Sequence, residues 1–123
     1  MDEFDVCAMM VGYLACALWT ATDDDGAPLD KRFTTDDFAV SARGDAYDDC
    51  FDFAKANEAL LASIADRRMP AYIGHDFNLT RNGHGTGFWD RGLGKAGDEL
   101  TAACRPYGSA DVYVGDDGFL HFG

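Results

Sequence analysis

Two groups of side chains have types and spacings that could do chemistry. The denser runs Gly74-His-Asp-Phe-Asn-Leu-Thr-Arg-Asn-Gly-His-Gly-Thr-Gly-Phe-Trp-Asp-Arg-Gly92. It sets His75, Asp76, Arg81, Asn82, His84, Asp90 and Arg91 among glycines. His75 or His84 could be a general base oriented by Asp76 or Asp90. His75, Asp76, His84 and Asp90 could also hold a divalent metal, and the glycines would let backbone amides approach an anion. The same residues suit a brace. Asn82-Gly83 can end a helix, and Asp76 with Arg81, or Asp90 with Arg91, can form local ion pairs. Phe77, Phe88 and Trp89 would anchor such a brace to a core, with the polar side chains satisfying loop backbone groups. The spacings HExxH, GxSxG and a phosphate-binding Gly-Lys-Ser are all absent. No residue is therefore assigned to catalysis, and no metal or cofactor is expected.

The second group is acidic. At 100° per residue, Asp45, Asp48, Asp49 and Asp52 share one helix face. Residues three or four apart on a helix sit about 5–6 Å from each other, so this face holds like charges close together at some cost in stability. Duplex DNA carries one negative charge per roughly 1.7 Å of axis. A rigid Asp surface can thus compete for a nucleic-acid-binding cleft, and Asp23, Asp24, Asp25, Asp30, Asp36 and Asp37 could extend it. The plainer reading is a solvated face that keeps the protein soluble. Asp116-Asp117-Gly118 lacks the remaining oxygen ligands of an EF-hand loop and reads as a turn.

Composition bounds these readings. The chain has 123 residues, 47% hydrophobic and 13% aromatic, which suits one globular domain, 1–123, with its own core. The net charge is −12, from 22 acids and 10 bases. Residues 1–53 hold 13 acids and 3 bases, and residues 54–123 hold 9 and 7. Such a half repels nucleic acid and membranes and attracts basic protein clefts. The acids are 19 Asp and 3 Glu, a bias that a halophilic host would also produce. Cys7, Cys16, Cys50 and Cys104 form no CxxC pair, so free thiols in a cytoplasm are expected. The acidic N-terminus does not read as a signal peptide. The apolar run Val6 to Trp19 is shorter than the roughly 20 residues a membrane span needs.

The elements expected to position these residues are mainly helical, in an α+β fold. Residues 3–20 read as a helix with Asp2, Glu3 and Asp5 at its acidic start. Its apolar residues, Phe4 to Trp19, surround the whole circumference, which predicts a central buried helix. Thr22 to Phe33 reads as a loop. A second helix is expected from Thr35, capped there, with Gly44 a point of bending. Over 45–64, Tyr47, Cys50, Phe51, Ala54, Leu61 and Ile64 share one face opposite the Asp stripe. Arg67 to Pro70 is a break, Pro70 to Asn82 a short helix, Gly83 to Gly97 an ordered glycine-rich loop, and Asp98 to Arg105 a short helix stopped by Pro106. Asp111 to Val114 and Phe119 to Phe122 alternate as strands of a C-terminal β-hairpin.

The Gly74–Gly92 segment resembles a motif of small, mostly uncharacterised proteins encoded by phages and plasmids: Gly-His-Asp-Phe-x-Leu-Thr-Arg-Asn-Gly-His-Gly-x-Gly-Phe-Trp-Asp-Arg-Gly. Cys16 to Trp19 with the following Thr-Asp-Asp, and Tyr113 to Gly118, resemble the flanking blocks of the same family. Asn78 departs from it, standing where Trp is expected, and Asp66 to Ile73 is altered. The resemblance implies no reaction. It implies a mobile-element origin and, by association, an anti-CRISPR or anti-restriction role. The expected function is then a host-defence inhibitor in the host cytoplasm, meeting the basic cleft of a nuclease complex with no direct nucleic-acid contact. A small hydrolase or metal-dependent enzyme at His75–Asp90, and an accessory docking module marked by an exposed Trp89, are the alternatives. The oligomeric state is left open.

Overall fold

The computed structural model describes residues 2–123, apart from the side chains of residues 3 and 4. The expected parts of Glu3 and Phe4 in α1 fall outside it. Helix α1 (Glu3–Thr20) starts at a reciprocal cap. The Asp2 carboxylate accepts from the Asp5 amide at 2.9 Å, and the Asp5 carboxylate accepts from the Asp2 amide at 3.3 Å. Helices α2 (Val40–Ala56), α3 (Glu58–Ser63), α4 (Pro70–Arg81) and α5 (Lys95–Ala103) follow. Strands β1 (Val112–Val114) and β2 (Leu120–Phe122) close the chain as an antiparallel hairpin with Tyr113 opposite His121. Mainly helical architecture with a C-terminal hairpin is thus what the chain adopts. No helix among the described residues is long and apolar enough to cross a membrane.

Helix α1 crosses α4 at backbone contact distance, because Gly12 faces Ala71 and Gly74 faces Met9. Val6, Met9, Tyr13, Leu14, Cys16, Ala17 and Leu18 are buried here. The expectation that α1 is buried all round is corrected: Cys7, Val11, Ala15 and Trp19, spaced by four, form an exposed stripe. Its neighbours cover the rest of the circumference and leave this stripe open. The centre of the core is aromatic. Phe53 stacks on Phe77 with centroids 4.4 Å apart and on Phe88 at 5.8 Å, and Tyr107 meets Phe77 edge-on at 5.1 Å.

Three other boundaries depart from expectation. The cap residue is Thr34, not Thr35, and it closes only one 3₁₀ turn, Thr35–Asp37. The chain then extends, because Phe38 is buried against Phe122 and the Ala39 amide donates to the Leu120 carbonyl at 2.9 Å. Helix α2 therefore begins at Val40, and it runs through Gly44 without a break. It also ends at Ala56 instead of continuing to residue 64. The Asn57 side chain donates to the Phe53 carbonyl at 2.9 Å, the kind of local bond that competes with a helix ladder. The glycine-rich loop holds a 3₁₀ turn, Phe88–Asp90, and α5 starts three residues early at Lys95. The end of α4 is as expected. Gly83 takes φ +67°, and the Gly83 and His84 amides return to the Thr80 and Leu79 carbonyls.

All four thiols are free. Burial, with the nearby Asp76 charge, pushes Cys16 up to about 12, and burial does the same to Cys104. Cys50 is also raised, chiefly by burial. Cys16, Cys50 and Cys104 are thus packing groups of the core.

Candidate functional site

The Gly74–Gly92 segment resolves into two clusters on different sides of α4. Asp76 is fully buried. Its carboxylate accepts two hydrogen bonds from Arg68, both at 3.0 Å, and one from Arg91 Nε at 2.9 Å. Arg68 also lies over the Tyr72 ring, 4.9 Å from its centroid. The expected Asp76–Arg81 pair does not form, since five residues along a helix is a rotation of about 140°. The looser Asp90–Arg91 pair is present at 3.9 Å.

Arg81 serves the second cluster. Nη1 donates to Asp49 at 2.6 Å and to the Tyr13 hydroxyl at 3.2 Å, Nε to the Gly108 carbonyl at 2.9 Å, and Nη2 to the Tyr107 carbonyl at 3.0 Å. Its guanidinium also packs over Phe77 and Tyr107. One side chain thereby ties α1, α2, α4 and the segment before β1 together. Burial, opposed by Arg81, raises Tyr13 to about 12, so the hydroxyl stays neutral.

The proposed catalytic and metal set is not assembled. Among the described residues, no three His, Cys, Asp or Glu side chains come together as metal ligands. Asp76 is committed to two arginines. His75 packs beside Trp19, ring centroids 5.8 Å apart. His84 is exposed past the end of α4. Asp90 caps its own turn, accepting from the Gly87 amide at 3.0 Å and the Thr86 hydroxyl at 2.7 Å. Those bonds, the Gly87 amide first, hold Asp90 below the usual carboxylate range.

His75 carries a pH signature. Burial lowers its pKa, with Arg91 and Arg68 adding to the fall and Asp76 opposing it. The folded protein then binds this proton less readily than the unfolded chain, whose imidazole titrates near 6.5. Stability should be intact above that value and decline as pH falls below it. His75→Gln is expected to shrink the stability lost between neutral pH and pH 5, read by urea denaturation at both. An undiminished loss would contradict the assignment.

The Asp stripe is less free than its spacing suggests. The buried face of α2 is Ala42, Ala46, Cys50, Phe53 and Ala54, rotated by roughly a quarter turn from the expected one toward the acids. Phe51 is therefore exposed and Asp49 reaches Arg81. Asp52 accepts from the Tyr107 hydroxyl at 2.5 Å. Asp37 caps Thr34, and Asp36 lies 3.8 Å from Arg43. Asp23 holds its own turn through the Asp25 and Ala27 amides, both at 2.9 Å, and pairs with Arg32. The carboxylates of Asp24, Asp25, Asp30, Asp45 and Asp48 have no partner among the described residues.

Of these, Asp45 with Asp48 and Asp24 with Asp25 flank the hairpin. On one side a cleft of about 370 Å³ is lined by Asp45, Asp48, Asp49, Tyr13, Phe122 and Gly123. On the other, a groove of about 550 Å³ runs between Asp23–Asp25 with Arg32 and Val112–Val114. Tyr113, Val114 and Phe119 are exposed between the acidic groups.

Two residues that the sequence did not single out as functional emerge. Arg68 is one of them. The other is Asn78, 1% exposed, whose amide nitrogen and oxygen have no hydrogen-bond partner. Nothing in the local sequence His75-Asp76-Phe77-Asn78-Leu79-Thr80-Arg81 marks Asn78 as buried. Scans of protein-family models, of curated proteins and of solved structures each found no match for this chain.

Proposed function

We propose that this chain is a binding protein, not a catalyst, and that it inhibits a host-defence nuclease or guide-RNA complex of the anti-CRISPR or anti-restriction target kind by occupying a basic nucleic-acid cleft. The observation that carries this reading is the pair of unpartnered acidic groups, Asp24 with Asp25 and Asp45 with Asp48, on either side of a hairpin that exposes Tyr113 and Phe119. Charged side chains steer the encounter and set its salt dependence, and exposed aromatics supply the anchors that binding surfaces favour. The interface is smaller than the sequence suggests: Asp49, Asp52, Asp23 and Asp37 serve the fold. The enzyme alternative loses support because its four side chains do not converge: Asp76 and Asp90 are held in separate bonds, His75 packs beside Trp19 and His84 stands exposed past α4. The docking-module alternative draws on Trp89, which is exposed.

The test compares the wild-type chain with Asp24→Asn/Asp25→Asn/Asp45→Asn/Asp48→Asn, each immobilised and incubated with host lysate. The wild type should retain a basic nuclease or guide complex at low salt, release it at high salt, and block its DNA binding. The variant should keep its fold and bind roughly tenfold more weakly or worse. Retention indifferent to salt, or equal in both proteins, would remove the acidic surface from the account.

A further inference from the structure

Helices α1 and α4 cross where Gly12 meets Ala71, and the crossing sets their exposed residues side by side. Trp19 packs beside His75, and Arg68 lies over the Tyr72 ring. Val11, Trp19, Met69 and Tyr72 are each more than half exposed. From Val6 to Thr22 and from Met69 to His75 the chain carries no acid, in a protein of net charge −12. The charges beside this face are arginines. Arg67 is exposed, and Arg68 and Arg91 are partly so. Of the acids near them in the chain, Asp76 is buried, Asp90 is committed to its own turn and Asp66 remains exposed. Nη1 of Arg68 and both Nη groups of Arg91 have no hydrogen-bond partner among the described residues. Trp, Tyr, Met and Arg are the residues that protein interfaces concentrate, and an apolar patch rimmed by polar groups marks an interaction site.

We propose that this face receives the hairpin of a second copy of the chain, in a head-to-tail contact. The hairpin is its charge complement. Tyr113, Val114 and Phe119 are exposed there between Asp24 with Asp25 and Asp45 with Asp48. Apolar side chains would meet apolar side chains, and free carboxylates would reach unpartnered guanidinium N–H groups, which make strong charge-assisted bonds. The two symmetric arrangements fail on charge. Face against face sets arginines opposite arginines, and hairpin against hairpin sets Asp opposite Asp, and like charges in register suppress a contact. The overall charge keeps copies apart, so the contact is weak and needs one side that is poor in acids. The two surfaces share no residue, so one copy can use both at once, and contacts of this kind build rings or open chains. The contact involves only copies of this chain and stands or falls without the target proposed above, with which it would compete for the hairpin.

The experiment is sedimentation velocity of the full chain from about 10 µM to about 1 mM, in about 0.15 M salt, where a Debye length of about 8 Å screens the overall repulsion. The weight-average mass of the wild type should rise with concentration beyond that of a dimer. Trp19→Glu/Met69→Glu disables the helix face alone, and Tyr113→Arg/Phe119→Arg disables the hairpin alone. Each double variant should stay monomeric. Mixed in equal amounts, the two should form a 1:1 dimer that grows no further, because each supplies the surface the other lacks. All four positions are exposed. If the hairpin variant does not fold, Asp24→Arg/Asp25→Arg, at exposed turn positions, takes its place. A wild type that is monomeric throughout, a variant that still associates alone, or a mixture of folded variants that stays monomeric would overturn the proposal.

Discussion

Gly74→Ala is expected to destabilise the protein by about 3 kcal/mol or more, near or beyond the upper end of the usual overpacking range. A methyl group on Gly74 would stand 1.8 Å from the Met9 carbonyl oxygen, 2.7 Å from its carbon and 2.9 Å from the Tyr13 amide nitrogen. Every one of these is a backbone atom, so no side chain can rotate away. The helices must part, and Met9, Tyr13 and Phe77, all buried at this crossing, lose their packing together. Gly12→Ala should act in the same way, its methyl group 1.9 Å from the Ala71 carbonyl oxygen. The sign is what makes the test sharp. Alanine is ordinarily the better helix former by about 1 kcal/mol. Gly44 in α2 is the control, since a methyl group there meets nothing within 4 Å, and Gly44→Ala should gain roughly 0.5–1 kcal/mol. Urea denaturation of the three variants reads all of this. If Gly74→Ala behaves like Gly44→Ala, the close crossing is wrong.

That crossing also marks where the sequence stopped being legible. Period and punctuation locate most elements: the acidic start of α1 at Asp2 to Asp5, the break at Pro70, the stop at Asn82-Gly83 and the turn at Asp116 to Gly118. All are local signals. What failed depended on partners distant in sequence. The all-round apolarity of α1 could not reveal which stripe its neighbours leave uncovered, so Val11 and Trp19 were expected inside. Thr35-Asp36-Asp37 has the composition of a helix start, but Phe38 is drawn to Phe122 and the chain extends there instead. In α2 the acids were placed correctly on one face, yet Arg81, 32 residues further on, takes Asp49 out of the free surface. Near-neighbour spacing pairs Asp76 with Arg81, whereas its partners are Arg68 and Arg91, which the fold brings from either end of the segment. Asn78 stands out in the sequence only as a departure from a motif, because an unpaired amide is a property of surroundings and not of spacing.

The buried carboxylate decides between a brace and a reactive site in the glycine-rich segment. Asp76→Ala is expected to cost about 3 kcal/mol, the lower end of the range for breaking a buried ion pair. The lower end applies because the Arg68 and Arg91 side chains are 20% and 26% exposed and can turn partly to water once released. The loss should be felt in two places at once. Arg68 fixes the connection before α4, and Arg91 fixes the loop after the Phe88–Asp90 turn, so one carboxylate pins both ends of the segment against α4. Replacing all three residues together, Asp76→Leu with Arg68→Met and Arg91→Met, should recover much of the loss, because no charge is then left unpaired. Chemical denaturation of the single and triple variants measures both steps. A brace predicts a large first loss and a substantial recovery. A stable, folded Asp76→Ala protein would mean that the arginines are not held for structure, and would return Asp76 and His75 to consideration as groups kept for chemistry.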